Sequence, residues 1–225
     1  MKRLTTKELT GQTEQHIDPD IGLHHDVIPA FLALKQAAKE AGFELAIASG
    51  FRSFERQKVI WNAKFNGLRP VLNNQSQPID IRTLSEIELI HAIMRWSALP
   101  GASRHHWGTD FDIYAKNLLP EGEKLALEPW EYQSGGHQFL FSQWLNSYLQ
   151  DSPFFLPYIK DKGGVATEPW HISYAPIAKK ALQDIDIKQL TTLFSIEDVA
   201  GKSQIIKNID ILYDRYISNI NKTYN

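Results

Sequence analysis

The stretch TDFDIYA, Thr109 to Ala115, alternates polar and apolar residues. In an extended chain that alternation puts Asp110, Asp112 and Tyr114 on one face and Phe111 and Ile113 on the other, so the segment reads as a half-buried strand. Just ahead of it, GASRHHWG sets Arg104, His105 and His106 between two glycines. Two of the chain's eight histidines thus stand side by side, a few residues before two carboxylates.

The rest of the chain supplies elements to pack around that strand. Val27 to Phe43 places Phe31, Leu34 and Ala38 at helical spacing and stops at Gly42, a C-terminal cap. ELAIAS, Glu44 to Ser49, is short and apolar and is closed by Gly50, so it reads as a buried strand that leaves Arg52 at a strand-to-helix junction. Residues 53–65 are helix-compatible, and NGLRPVLNNQSQP after them has the composition of an exposed loop. TLSEIELIHAIMRWSA reads as a helix with Ser85 near its start, and HQFLFSQWLNSYLQ as another. PFFLPYIKDKGGVATEPWHISY reads as two strands around a Lys-Gly-Gly turn, the second carrying Trp170, His171 and Ile172. Beyond Ala175 the pattern is helical, with Ile205, Ile209, Leu212 and Tyr216 marking one face of a final amphipathic helix. No internal repeat or long linker divides the 225 residues, so residues 1–225 are taken as one domain, with a core over about 27–175 and a helical extension over about 176–225.

Composition removes several classes of function. A formal net charge of -2 without a long Lys/Arg run lacks the electrostatic footprint of a nucleic-acid binder. No run of about 18 apolar residues offers a membrane span. MKRLTTKELTGQTEQ begins basic but has no apolar stretch behind it, so no signal peptide is read. The expected location is cytoplasmic for the sequence as given, or periplasmic or cell-wall for a chain whose leader was removed. The absence of cysteine excludes disulfides, thiolate metal sites and a cysteine nucleophile together. Any metal must therefore be held by His, Asp or Glu.

Three polar stretches lie at the mouths of the expected strands: SGFRSFERQ (Ser49 to Gln57), SRHHWGTDFD (Ser103 to Asp112) and EPWH (Glu168 to His171). A catalytic zinc takes three N or O ligands and keeps a position open for water. His105, Asp112 and His171 supply such a set, and Glu168, three residues before His171, is the candidate carboxylate for moving a proton. The remaining histidines, His16, His24, His25, His91 and His137, read as structural, and Trp107 and Trp170 as core or pocket walls.

Taken in order, these motifs resemble the VanY-type D-alanyl-D-alanine carboxypeptidases and their relatives, the zinc D,D-dipeptidases, lysostaphin-like endopeptidases and hedgehog signalling domains. SRHHWGTDFD resembles their S-x-H-x-x-G-x-x-x-D pattern, EPWH their E-x-x-H pattern, and SGFRSFERQ their S-G-[YF]-R-S-x-x-x-Q stretch, over about Gly42 to Tyr174. The resemblance implies an α+β fold, a small antiparallel sheet flanked by helices. It implies zinc on His105, Asp112 and His171, Glu168 as general base and acid, and Arg52, Gln57 and Ser103 on the substrate. A planar guanidinium at Arg52 suits either a terminal carboxylate or an oxyanion. The alternative for Arg52 is an ion pair with Glu55 or Asp112. The implied substrate is a peptidoglycan stem peptide cut at its C-terminal D-alanine. The alternative reactions are those of a D,D-dipeptidase, an L,D-carboxypeptidase or a peptidoglycan endopeptidase, with a non-catalytic zinc module behind them. One position departs from the family pattern: Asp110 stands where a small residue is usual. It could hydrogen-bond a ligand histidine or compete as the ligand itself. His106 reads as lining the pocket or supporting a ligand from behind.

Overall fold

The computed structural model describes residues 3–221. Its four strands, β1 (Leu45–Ser49), β2 (Asp110–Ala115), β3 (Phe154–Phe155) and β4 (His171–Tyr174), form one antiparallel sheet in the order β1-β2-β4-β3. Around it run α1 (Thr6–Leu9), α2 (Ile28–Glu40), α3 (Phe54–Phe65), α4 (Glu86–Met94), α5 (Pro129–Tyr132) and α6 (Phe139–Tyr148). The chain ends in α7 (Ala175–Asp184), α8 (Ile187–Ile196), α9 (Lys202–Lys207) and α10 (Ile209–Leu212). The fold is α+β, a small antiparallel sheet with helices on both sides and a helical C-terminal segment.

Local chemistry sets the element ends. Ser53 caps α3 by accepting a hydrogen bond from the Arg56 amide at 3.2 Å. Ser85 and Glu88 cap α4 reciprocally. Pro29 sits in the first turn of α2, where its missing N–H costs nothing, and Gly42 takes φ +88° just past the helix end.

The alternation in β2 is carried out in three dimensions. Phe111, Ile113 and Ile172 turn to one side and pack with Phe31 and Leu34 of α2 and Phe141 of α6. A second apolar cluster joins Trp61 of α3 and Ile90 of α4 to Leu190, Phe194, Ile205 and Leu212 of the C-terminal helices. Each cluster buries large side chains fully, and each such residue contributes about 1.5–3 kcal/mol. One cavity is lined by Met94 from the second cluster and Trp170 from the first, along with the sheet's polar residues.

Two expectations are corrected. Lys162-Gly163-Gly164 is not a tight hairpin turn: β3 is only two residues long, and residues 156–170 form an irregular loop before β4, which starts at His171 rather than Trp170. The loop's backbone is tied to Arg95 instead. Arg95 Nη1 donates to the Gly164 carbonyl at 2.7 Å, the guanidinium pairs with Asp161, and the Ala166 amide donates to the Arg95 carbonyl. The final helix is also broken. At Asn208 the carboxamide donates to the Gln204 carbonyl at 2.8 Å, which competes with the helical pattern, and a π-helical turn follows at Tyr213–Ile217. Ile205, Ile209, Leu212 and Tyr216 are buried nonetheless. Among the described residues no helix is long and apolar enough to cross a membrane.

Candidate active site

Strand register builds the site in two rows. Ser49 of β1 stands opposite Asp112 of β2, which stands opposite His171 of β4. Two residues along, on the same face, Asp110 stands opposite Ser173, and Ser173 opposite Phe155 of β3. A bulge between Ile47 and Ser49 re-aims the end of β1 at the first row.

The first row converges with the loop before β2. Ligand atoms of His105, Asp112 and His171 all lie within 4.8 Å of one another, and all three residues are buried. His105 Nδ1 donates to the Gly50 carbonyl at 3.0 Å, which leaves Nε2 as the bare nitrogen, 3.6 Å from Asp112 Oδ2. His171 has the opposite orientation. Its Nε2 donates to Asp110 Oδ1 at 3.3 Å, and its Nδ1 lies 3.1 Å from Asp112 Oδ1 and 3.6 Å from Glu168 Oε2. The two rings meet edge to face with centroids 4.9 Å apart.

The electrostatics follow from this packing. Burial holds His105 neutral, with its pKa lowered to about 3. Burial alone would also lower His171, but its bonds to Asp110 and Asp112 outweigh that and raise it to about 10. Glu168 is pushed up to about 7, mainly by burial, against the pull of His171. Two imidazoles, anchored from behind by the Gly50 carbonyl and Asp110, and the Asp112 carboxylate between them form a donor set that could hold a divalent metal, and its chemistry fits zinc.

The second row explains Asp110. Its Oδ1 accepts from Arg104 Nε at 2.6 Å and its Oδ2 from Thr109 Oγ1 at 2.7 Å, while Arg104 Nη2 donates to Ser173 Oγ at 2.8 Å. Arg104 is buried, stacks 4.7 Å from the Trp107 ring, and keeps Nη1 without a partner. Burial would raise Asp110, but the Arg104 charge and His171 bring it down to about 2. Asp110 therefore orients the His171 ring as a carboxylate and lies on the side of that ring away from Asp112.

Arg52 lies between β1 and α3, its Nη1 donating to Gln57 Oε1 at 2.9 Å and its Nη2 to Ser49 Oγ at 3.0 Å. It is not ion-paired with Glu55 or Asp112. Gln57 is fully buried, its Nε2 donating to the Ala98 carbonyl at 2.6 Å, so it can act on a substrate only by holding Arg52 in place. That differs from the direct contact expected for it. His106 is not a pocket wall either. Its ring bridges the Gly101 amide and the Arg52 carbonyl, and so braces Arg52 from behind. Ser103, Arg52, Glu168 and the three converging residues line one cavity of about 450 Å³, within the range of small-ligand sites. Its walls also include Tyr158, Lys64, Arg69 and Glu128, none of which the motifs single out. Lys64 was legible in principle, since it follows Gln57 and Ile60 at helical spacing. His16, His91 and His137 are hydrogen-bonded outside this cavity.

Residues 20–177 match the VanY family, described as D-alanyl-D-alanine carboxypeptidase. The chain belongs to that family. It is an enzyme of the VanY class, and the matched span contains Arg52, Ser103, His105, Asp112, Glu168 and His171. An uncharacterized protein of Haemophilus influenzae is 40% identical over 121 residues, 53% of this chain and 92% of that protein. A D-alanyl-D-alanine carboxypeptidase of Enterococcus faecalis is 27% identical over 154 residues, 67% of this chain and 47% of its own. The chain thus spans about half the length of that VanY relative. A vancomycin-resistance D,D-pentapeptidase VanY solved in complex with Zn(II) is 25% identical, with a TM-score of 0.49 over 70% of this chain and 76% of that one.

Proposed function

We propose that this VanY-family enzyme is a zinc-dependent carboxypeptidase that hydrolyses the C-terminal D-alanyl-D-alanine bond of peptidoglycan stem peptides. The observation that carries the reading is the convergence of His105, Asp112 and His171 in a cavity that also holds Glu168 and Arg52. His105 Nε2, an Asp112 oxygen and His171 Nδ1 would hold the metal. Zinc held there supplies a Lewis acid that polarises the scissile carbonyl and lowers the pKa of water.

The chain's own groups do the rest. Glu168 takes a proton from the attacking water and passes it to the leaving amine nitrogen, a task suited to a carboxylate whose burial has raised it towards neutrality. Arg52, held flat by Gln57 and Ser49, presents its guanidinium to the terminal carboxylate or to the developing oxyanion. Ser103 adds a hydroxyl from the loop that carries His105. Trp170 and Tyr158 wall the cavity, and Tyr158 packs edge-on to His171 with centroids 5.1 Å apart.

The test is D-alanine release from a pentapeptide ending in D-alanyl-D-alanine, measured with zinc content. Glu168→Gln is expected to lower kcat by at least about 100-fold while zinc per chain stays at the unsubstituted level. Turnover within a few-fold of the unsubstituted protein would remove Glu168 from the mechanism.

A further inference from the structure

No helix or strand holds the loop that carries Glu168. Residues 156–170 run irregularly between β3 and β4, so their backbone carbonyls must take donors from elsewhere or face water. Residues 215–221 supply those donors. Asn221 Nδ2 donates to the Lys160 carbonyl at 2.9 Å and to the Pro157 carbonyl at 3.2 Å, and the Asn221 amide reaches the same Pro157 carbonyl at 2.8 Å. Asn219 Nδ2 donates to the Lys162 carbonyl at 3.0 Å, and Arg215 Nε to the Gly163 carbonyl at 2.7 Å. Lys162 Nζ returns a bond to the Ile220 carbonyl at 3.0 Å. The two segments approach so closely that a Cβ on Gly164 would lie 2.1 Å from the Arg215 carbonyl oxygen. Ile220 packs with Phe155 and Tyr158 in a small buried cluster. Arg95 ties down Asp161 and Gly164, and this strap ties down the stretch from Pro157 to Gly163.

The contact reaches the chemistry in two steps. Next to Pro157, the Tyr158 carbonyl accepts from the Glu168 amide at 2.9 Å, and the Glu168 carbonyl accepts from the His171 amide at 3.2 Å. The Tyr158 ring, packed against Ile220, walls the cavity and lies edge-on to His171. Asp112 and His105 are fixed separately, by the pairing of β2 with β4 and by the Gly50 carbonyl. The strap therefore bears on Glu168 and Tyr158 while the metal-ligand set rests on the sheet. Residues 215–221 lie beyond the span 20–177 that matches the family. We propose that Asn219 and Asn221 are positioning residues for the reaction: they hold the stretch from Tyr158 to Glu168 against the cavity and so set the distance of the Glu168 carboxylate from the reacting atoms, an inference that rests on the carboxypeptidase reading above. A shift of about 1 Å at a proton-transferring group is enough to cost on the order of 100-fold in rate, even when the substitution that causes it is remote.

The experiment measures kcat and KM for D-alanine release from a pentapeptide ending in D-alanyl-D-alanine, with kcat counted per zinc-bound full-length chain. Asn219→Ala combined with Asn221→Ala is expected to lower kcat at least about tenfold, with KM within about threefold and zinc content unchanged. Amide hydrogen exchange over residues 158–168 should quicken at least about tenfold in the same variant, while β2 and β4 keep their protection. Asn221→Ala alone should show the same pattern at smaller size, which keeps the answer independent of how well the double variant folds. Tyr213→Phe is the control. It removes the bond from Tyr213 Oη to the Ile185 carbonyl, made by the same C-terminal segment but not to the loop, and should leave kcat unchanged. A merely structural strap would lower the melting temperature and leave kcat per zinc-bound chain within about twofold of the unsubstituted value. That result overturns the proposal, as does an equal fall of kcat in Tyr213→Phe. No D-alanine release by the unsubstituted chain overturns the carboxypeptidase reading and the positioning role with it, whereas release that the double variant retains in full overturns the positioning role alone.

Discussion

Asp110 connects the site to the stability of the protein. It is fully buried, its oxygens accept from Arg104 and Thr109, and it receives the Nε2 proton of His171. Removing one partner of such a pair leaves a buried guanidinium uncompensated, which costs about 3–5 kcal/mol. Asp110→Asn is therefore expected to lower the unfolding free energy on the order of 3 kcal/mol in urea titrations. A loss below about 1 kcal/mol would mean the Arg104 network is not what holds this strand. In the sequence, the spacing from His105 favoured Asp112 as the ligand, and two roles for Asp110 on the same strand face stayed open. The distinction lies in Arg104 and Ser173, whose proximity depends on the pairing of β2 with β4 and cannot be read from local spacing. The same holds for Gln57. Its motif position was visible, but its burial against the Ala98 carbonyl depends on how α3 packs.

At the level of elements, the loop from Gly101 to Gly108 is as constrained as the strand it feeds. Gly108 takes φ +65°, and a Cβ there would lie 2.7 Å from the His24 amide nitrogen and 2.3 Å from Ile17 Cδ1. Its carbonyl accepts from that same His24 amide at 2.9 Å, so the glycine ties the N-terminal segment to the loop that carries His105. Gly108→Ala should lower the melting temperature by several degrees, and zinc affinity should fall with it because His105 shifts. An unchanged melting temperature together with unchanged zinc affinity would contradict this. Elements with strong local signals were legible: α2, α3, α4, β1 and β2 sit where periodicity and caps put them. The β3–β4 connection was not, because Arg95, some 70 residues upstream, provides the hydrogen bonds that a tight turn would otherwise make. The break at Asn208 was likewise hidden, since an apolar stripe continues across it.

For the whole molecule, the C-terminal segment braces α3. Trp61 Nε1 donates to the Ala200 carbonyl at 2.9 Å, and Lys58 pairs with Glu197. Trp61→Ala is expected to cost about 3–5 kcal/mol by leaving a cavity between α3 and that segment, and urea unfolding measures it. The site also gives the metal-free protein a pH dependence. His171 has a folded pKa of about 10, above its ordinary 6.5. Its stabilising contribution is thus complete below about pH 6.5 and is lost as pH rises through about 10. Zinc-free protein should lose stability across that window, and Asp110→Asn should flatten the loss. A flat profile in the unsubstituted chain would show that Asp110 and Asp112 do not hold His171 protonated.

The central claim is that one aspartate of the pair binds zinc and the other only supports its ligand. Zinc content by elemental analysis, with saturating zinc followed by desalting, tests it directly on the unsubstituted protein, Asp112→Asn and Asp110→Asn. The account predicts close to one zinc per chain in the unsubstituted protein and in Asp110→Asn, and loss in Asp112→Asn. Zinc retained without Asp112, or lost only with Asp110, would contradict it.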